Sequence, residues 1–171
     1  SGQSNATGIT LNREPENVYA PTDDRVNCIN YFDNTTVAAP EMVFSHLEAQ
    51  SFIAPQGVTA WCWGAFGQAL ATNWDVPVLL FNTAIGNTGI FKWRASANEE
   101  ANSCATTPGA CMPYYYLKKT IENYIPKTGI RALLWHQGEN DYGIFEGGGF
   151  PPEYYYSNIK QVIDKTRAQL G

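Results

Sequence analysis

Two short apolar runs, separated by a stretch with helical periodicity, constrain the fold of this chain more than any other feature of the sequence. They are residues 76–81 and 130–135, and polar or glycine-rich residues follow each of them. Apolar runs of this length are typical of strands that helices cover on both faces. The pattern therefore predicts an α/β fold built on a parallel sheet.

Helical periodicity accompanies both apolar runs. Apolar residues recur at helical spacing over residues 64–74, 113–125 and 152–170, and proline stands at the start of the last two stretches. Weaker patterns predict a further strand over residues 26–31 and a short helix over residues 42–52. This order of strands and helices is typical of crossover connections in a parallel sheet.

A single domain over residues 1–171 is expected, because no repeat, low-complexity tract or linker divides the sequence. A doubly wound sheet needs a strand before its first loop and normally continues after its last helix. Here the sequence opens on a glycine-containing loop and ends with a helix. We therefore expect this chain to be a piece of a longer one, with the first strand and the carboxyl-terminal segment outside it.

The charge of the chain argues against two classes of partner. Lysine and arginine number 11 against 16 aspartate and glutamate residues, which makes the net charge −5, and no basic stripe is present. Such a chain offers little to a nucleic-acid backbone or an anionic membrane. The apolar runs are also far shorter than the roughly 20 residues that a spanning helix needs. We expect no nucleic-acid or membrane partner, and the sequence indicates no oligomeric state.

Cys104 and Cys111 bracket a segment of small residues with proline and glycine, which predicts a disulfide that closes a local loop. Zinc binding is the alternative. The chain has no Cys-x-x-Cys pair for it, and the two histidines, His46 and His136, lie far away in sequence. Because structural disulfides form in oxidising compartments, we expect a secreted or periplasmic protein.

Two small-residue segments fall where loops are predicted. In residues 1–6, Gly2 permits a strained backbone and Ser4 follows at the turn. Residues 84–90 come after the first apolar run and offer backbone N–H groups to a ligand. Each segment also fits an ordinary structural role, as a capping serine in the first case and a tight turn in the second.

A third segment, residues 135–141, follows the second apolar run and concentrates polar groups. Gln137 and Asn140 can donate amide protons to a developing oxyanion, and Glu139 can orient an imidazole. The alternative is a polar strand exit that caps a helix. Because the carboxyl ends of parallel strands share one edge of a sheet, we expect the three segments to lie together.

Taken together, the three segments resemble blocks of the SGNH hydrolases, and more narrowly of the sialate O-acetylesterase and acetyl xylan esterase group, carbohydrate esterase family six. The blocks are Gly2-Gln3-Ser4-Asn5-Ala6, Gly86-Asn87-Thr88 followed by Trp93, and Trp135-His136-Gln137-Gly138-Glu139-Asn140-Asp141. The resemblance implies a three-layer, doubly wound parallel sheet of the flavodoxin-like SGNH type. It also implies a serine esterase that removes O-acetyl groups from carbohydrates, of acetyl xylan or sialate type, without a metal or organic cofactor.

The resemblance assigns roles to five residues. Ser4 would be the nucleophile, and its N–H would bind the oxyanion together with the N–H of Gly86 and an amide side chain. Gln137 is the first choice for that amide and Asn140 is the alternative. Some relatives use the glutamate of this block as the triad acid, and that residue is Glu139 here.

Histidine and tryptophan are the remaining candidates. The family takes its general base from an Asp-x-x-His segment near the carboxyl terminus, which this sequence lacks, so the base is expected outside the chain. His136 stands where relatives often carry tyrosine and is interpreted as a neighbour of the site. His46 is interpreted as a surface or structural histidine. Trp93 is the candidate for stacking on a sugar face.

Three rival functions follow from the same residues. A related esterase for lipid or aryl esters would prefer longer acyl chains. A catalytically inactive carbohydrate-binding module of the same fold would bind glycans without turnover. A flavodoxin-like nucleotide binder would need a phosphate-binding motif, which residues 84–90 do not match.

Overall fold

The computed structural model describes residues 1–8, 18–33, 41–104, 111–146 and 150–171. The chain divides into two compact units. The sheet unit is Ser4–Ala84, and the helical unit is Ser1–Gln3 together with Ile85–Gly171. Helices and strands are both present, so the predicted α/β class is confirmed at that level.

The sheet unit is built on three strands in the order β2-β1-β3. Strand β1 (Val26–Cys28) runs antiparallel to β2 (Ser45–His46) and parallel to β3 (Val78–Leu80). Helix α1 (Ser4–Thr7) opens the unit, and helix α2 (Trp61–Trp74) precedes β3 in the chain. A parallel pair with a helix in its connection is the crossover arrangement that the sequence predicts.

Small residues let α2 lie close to its neighbours in the sheet unit. A Cβ atom on Gly67 would lie 2.6 Å from Cγ1 of Val26, and one on Gly64 would lie 2.0 Å from the carbonyl oxygen of Tyr19. A side chain at either glycine would therefore force the helix away. The buried core of this unit consists of Val18, Val26, Cys28, Leu47, Ile53, Ala60, Ala71 and Val78.

Three predictions for the sheet unit are confirmed. Strand β3 lies within residues 76–81, strand β1 lies within residues 26–31, and helix α2 contains residues 64–74. Both strands are shorter than the apolar patterns that predict them. Only the residues that pair with a neighbouring strand adopt the regular ladder.

The helix predicted over residues 42–52 is wrong, because this stretch contains strand β2. The edge of β1 supplies backbone partners: Asn27 pairs with His46, and the N–H of Leu47 donates to the carbonyl of Val26 at 3.0 Å. Leu47 is fully buried. Tertiary pairing thus overrides a weak helical pattern.

The helical unit contains helices α3 (Ile90–Ala97), α4 (Tyr115–Asn123), α5 (Ile125–Thr128), α6 (Glu139–Glu146) and α7 (Pro152–Leu170). Its buried core consists of Ile90, Trp93, Ala97, Tyr114, Leu117, Ile121 and Val162. The predicted helices over residues 113–125 and 152–170 are confirmed. The first of them ends at Asn123, and α5 then begins at Ile125 with Pro126 in its first turn.

The predicted disulfide is confirmed. Cys104 and Cys111 are bonded, with a sequence separation of 7, and the other two cysteines, Cys28 and Cys62, are free. Within the described ranges, no group of three or more histidine, cysteine, aspartate or glutamate side chains could hold a metal ion. No helix in the described part of the chain is both long and apolar enough to cross a membrane.

Residues 130–135 do not form the buried strand predicted for them. Ile130, Leu133 and Leu134 are exposed, at 43%, 37% and 41% of their surface. A strand needs a neighbour for its backbone groups. Among the described residues, this stretch has such a partner only near its end, where the nitrogen of Ser1 donates to the carbonyl of Leu134 at 2.8 Å. The prediction fails because apolar character alone does not supply a pairing partner.

Candidate active site

Ser1–Gln3 connect the second and third predicted segments within the helical unit. The N–H of His136 donates to the carbonyl of Ser1 at 3.0 Å, and the N–H of Gln3 donates to the carbonyl of His136 at 2.9 Å. On the other side, the N–H of Ile85 donates to the carbonyl of Gly2 at 3.0 Å. The residues that lead into Ser4 are therefore held by both of the other segments.

Glycine is required at position 2 for this arrangement. Gly2 has φ +140°, in the region that side chains disfavour, and a Cβ atom there would lie 1.9 Å from the carbonyl oxygen of His136. The sequence predicts a strained backbone at Gly2, and the positive φ confirms it. The close approach of His136 is a second constraint that local sequence does not reveal.

The side chain of Gln3 reaches the third segment. It is buried, and its Oε1 accepts hydrogen bonds from the N–H of Asn140 and from Nε2 of Gln137, each at 3.3 Å. Gln3 immediately precedes Ser4 in the chain. Its position is thus tied to both amide residues that the sequence singles out.

Gln137 lies at the centre of a polar network in the helical unit. Its Nε2 donates to the carbonyl of Thr88 at 3.0 Å and to the carboxylate of Asp141. The hydroxyl of Tyr155 shares its one proton between Oε1 of Gln137 at 3.0 Å and the Gln137 carbonyl at 2.9 Å. Both amide protons of Gln137 therefore already have acceptors in the protein.

Asp141 carries a role that the sequence analysis does not assign. Its side chain is buried, and both carboxylate oxygens lie 3.0 Å from the N–H of Ile90, the first residue of α3. A Cβ atom on Gly89 would lie 3.1 Å from Oδ1 of Asp141, so glycine there leaves room for the carboxylate. The local sequence shows only that Asp141 is an acidic residue in the first turn of α6, which does not identify its partner.

Asn140 differs from Gln137 in its side-chain partners. A Cβ atom on Gly89 would lie 3.3 Å from Nδ2 of Asn140, which places the amide beside the glycine-containing turn. The side chain is partly exposed. Over the residues that the structure describes, this amide donates no hydrogen bond, so it can bind a ligand without losing a contact.

The turn at Gly86 is held from within. Asn87 adopts a left-handed conformation with φ +56°, and the hydroxyl of Thr88 donates to the carbonyl of Ile85 at 2.7 Å. The hydroxyl of Thr88 also accepts from Nε1 of Trp93 at 3.0 Å. The partly exposed Gly86 thus belongs to a hydrogen-bonded turn just before α3.

Trp93 is a core residue and not a surface for sugar stacking. Its relative exposure is 0%, and its ring centroid lies 4.9 Å from that of Trp135 in an edge-to-face arrangement. A ring without exposed surface has no face to offer to a sugar. The helical periodicity that places Trp93 on the inner side of α3 explains why the stacking role predicted for it does not fit.

Tyr155 supports the network from helix α7. Its hydroxyl accepts a hydrogen bond from Nε1 of Trp135 at 3.3 Å while donating to Gln137. Burial raises the pKa of Tyr155 above its ordinary value, because the phenolate loses solvation. The hydroxyl therefore stays protonated and remains a donor at neutral pH.

His136 and Glu139 form a pair on the surface of the helical unit. Nε2 of His136 lies 3.5 Å from Oε1 of Glu139, and 56% and 37% of the two side chains are exposed. The contact brings the Glu139 carboxylate close to an imidazole, and its role as the acid that orients a catalytic histidine stays a prediction. His46 belongs to the sheet unit, where its Nε2 lies 3.1 Å from the carbonyl of Pro21.

Ser4 is the first residue of α1 in the sheet unit. Its carbonyl accepts from the hydroxyl of Thr7 at 2.7 Å, and the carbonyl of Ala6 accepts from Nδ2 of Asn82 at 2.6 Å and Nε1 of Trp63 at 2.8 Å. The Ser4 side chain is partly exposed, and its hydroxyl has no hydrogen-bond partner in the described ranges. The serine is thus anchored through its backbone and partly exposed.

A comparison with protein families gives a match over the whole sequence. A family model described as carbohydrate esterase, sialic acid-specific acetylesterase, matches residues 1–171. This match confirms the resemblance drawn from the three blocks. No curated protein and no solved structure matches the chain significantly.

Proposed function

Because the chain belongs to the carbohydrate esterases of the sialic acid-specific acetylesterase family, we propose that it removes O-acetyl groups from carbohydrates with Ser4 as nucleophile. The family is one of carbohydrate acetylesterases, so an O-acetylated carbohydrate is the class of substrate that it implies. The serine mechanism, the roles of individual residues and the choice between acetyl xylan and sialate esters belong to the proposal.

The reaction takes place in two steps. A histidine base removes the proton of the Ser4 hydroxyl, whose oxygen attacks the acetyl carbonyl, and the bond to the sugar oxygen breaks as that oxygen takes up the proton. Water then attacks the acetyl-serine ester, and acetate leaves with Ser4 restored. The N–H groups of Ser4 and Gly86 and one amide side chain bind the negative oxygen in both steps.

One observation supports the assignment of Ser4 above all others. The residues directly before it, Gly2 and Gln3, are hydrogen-bonded to Ile85, His136 and Asn140, which come from the two other blocks. A capping serine in an ordinary turn needs no such connections. Residues that bind a transition state must be held rigidly by neighbouring backbone, and this arrangement provides that.

The two candidate amides have different costs as oxyanion donors. Gln137 would have to release Thr88 or Asp141 before it could donate elsewhere. Asn140 lies beside the turn of Gly89 and can donate without such a loss. This difference favours Asn140, with Gln137 holding the turn in place. For the triad acid we propose Glu139.

Three broader properties are part of the same proposal. The chain adopts a three-layer, doubly wound SGNH fold in a single domain. The parallel pairing of β1 with β3 in the sheet β2-β1-β3 supports this fold. The disulfide between Cys104 and Cys111 supports secretion or export to a periplasm.

The experiment measures acetate release by the full-length protein from acetylated xylan and from O-acetylated sialic acid. Ser4→Ala is expected to lower the rate roughly a thousandfold or more, because the nucleophile is lost. The control is Ser157→Ala, which removes an exposed hydroxyl of α7 that bonds only to the carbonyl of Tyr154 within the described residues. It should leave the rate unchanged.

Each other outcome rejects part of the proposal. Acetate release that persists in Ser4→Ala would exclude Ser4 as the nucleophile. Glycan binding without any acetate release by the wild-type protein would favour an inactive binding module, and faster release of longer acyl chains would favour a lipid or aryl esterase. A fall of the His136→Ala rate to that of Ser4→Ala would make His136 the base and not a neighbour.

A further inference from the structure

We infer that Asp141 is a positioning residue that fixes the orientation of the Gln137 amide and joins it to the start of α3. Asp141 touches no reacting atom in the proposed reaction, so it would act through Gln137 and the turn before Ile90. Its catalytic meaning depends on the proposed function, whereas its effect on the Gln137 amide does not.

The first step is the position of the carboxylate. Asp141 is only 5% exposed, and its two oxygens accept the N–H of Ile90 at 3.0 Å each. Oδ2 also accepts from Nε2 of Gln137. A buried carboxylate needs such donors because it has lost its water. One side chain therefore links α3 and α6 through a backbone group and an amide.

The second step is the direction of the Gln137 amide. Three acceptors surround Nε2, namely the Asp141 carboxylate, the Thr88 carbonyl and, at 3.3 Å, Oε1 of Gln3. The hydroxyl of Tyr155 donates to Oε1 on the other side. Rotating the amide by 180° would set its oxygen against the three acceptors. The amide has one favourable orientation, and Asp141 is the charged group that selects it.

The third step is the connection to the Gly86 turn. Thr88 accepts from Gln137 through its carbonyl and donates to Ile85 through its hydroxyl, while Ile90 donates to Asp141. The turn is therefore held at both sides of Gly89. Misplacing the Gln137 amide would release the Thr88 contact and disturb the N–H of Gly86 that the proposed oxyanion site uses.

Asp141→Asn tests this arrangement with little change in shape. The asparagine oxygen can still accept from Ile90, but its NH₂ group would face Nε2 of Gln137, so two donors would oppose each other. Gln137 must then turn or move. We expect kcat to fall roughly 10- to 100-fold with KM nearly unchanged, as for a displaced oxyanion site.

Thr166→Val is the matched control. It removes a buried hydroxyl of the same unit, which bonds to Tyr114 at 3.0 Å and to the carbonyl of Val162 at 2.8 Å, and lies outside the network. It should lower stability but leave kcat and KM unchanged. Equal losses of kcat in both variants would reduce Asp141 to a general stabilising role and overturn the inference.

Nuclear magnetic resonance tests the inference without an activity assay. In the wild-type protein, we expect a scalar coupling through the hydrogen bond between Nε2 of Gln137 and the carboxyl carbon of Asp141. In Asp141→Asn the Gln137 side-chain amide resonances should shift, whereas in Thr166→Val they should not. If the wild type releases no acetate, the proposed function fails while this measurement still decides the inference. Absence of the coupling, or unchanged resonances in Asp141→Asn, would overturn it.

Discussion

At the scale of single residues, a comparison of Gly2 with Gly138 distinguishes the free-energy cost of a positive φ from that of a steric collision. They have nearly the same φ, +140° and +148°, but a Cβ atom on Gly2 would collide with His136, whereas one on Gly138 would meet nothing within 4 Å. Gly138→Ala should cost about 1–3 kcal/mol from the positive φ alone. Gly2→Ala should cost a further ~1–3 kcal/mol from the collision and should abolish acetate release, because Gln3 leaves its partners.

Urea denaturation of the two variants measures the difference in the free energy of unfolding. Their activities show whether the position of Gln3 matters for the reaction. Equal destabilisation by the two substitutions would contradict the close approach of Gly2 and His136.

Local sequence reveals some of these residues and not others. The strained backbone at Gly2 is predicted from its residue type. Gln137 and Asn140 are selected as candidate donors because they are amides next to a predicted strand end. Asp141 could not be assigned in this way, because its partner Ile90 is 51 residues away and becomes a partner only when α3 meets α6. For Trp93, the sequence analysis assigns a surface role to a side chain that is buried in the core, as most aromatic side chains are.

At the scale of elements, α7 makes the helical unit sensitive to alkali. Burial raises the pKa of Tyr155, on α7, and of Tyr114, which contacts Thr166 of the same helix, above the ordinary value of 10.0. Below pH 10 both states of the protein keep these protons. Above it, the unfolded chain ionises first, so the free energy of unfolding should fall by up to about 1.4 kcal/mol per pH unit for each tyrosine.

Denaturation between pH 8 and pH 11 checks this expectation. The variant with both Tyr114→Phe and Tyr155→Phe should show a flatter profile than the wild type over that range. Lys118, whose pKa Glu99 raises by a hydrogen bond, adds a loss in the same direction. Lys118 is present in both proteins, so its contribution cancels when the wild type is compared with the double variant. If the two proteins lose stability equally between pH 8 and pH 11, the role of the tyrosines is contradicted.

Length decides which elements can be predicted from sequence. Helices α2 and α7 have 14 and 19 residues, enough for an apolar face to recur several times. Strand β2 has two residues, which cannot show a period at all. Residues 130–135 have the composition of a buried strand, but a ladder partner is a property of the tertiary structure, and composition carries no information about it.

At the scale of the whole molecule, apolar periodicity shows that a residue is buried but not which core it joins. Val26 and Val78 belong to the core of the sheet unit, whereas Trp93 and Val162 belong to that of the helical unit. The assignment to a core depends on contacts between distant segments, and for this reason the two compact units are not visible in the sequence.

The disulfide gives a prediction for the stability of the whole chain. Cys104 and Cys111 close a short loop, with a sequence separation of 7, and replacing both with serine should lower the free energy of unfolding by about 2–3 kcal/mol. Cys62→Ser, at an exposed free cysteine, is the control and should change it by less than about 0.5 kcal/mol.

Counting thiols checks the pairing on which that prediction depends. Without reductant, a thiol reagent should find Cys62 in the native protein and Cys28 as well after unfolding, because Cys28 is buried. Burial raises the pKa of the Cys28 thiol, and partial loss of solvation raises that of the Cys62 thiol in the native protein, so the labelling should be done at alkaline pH, where thiolates form. Cys104 and Cys111 should react only after reduction, and if they react in the unfolded, unreduced protein, the stability difference must have another cause.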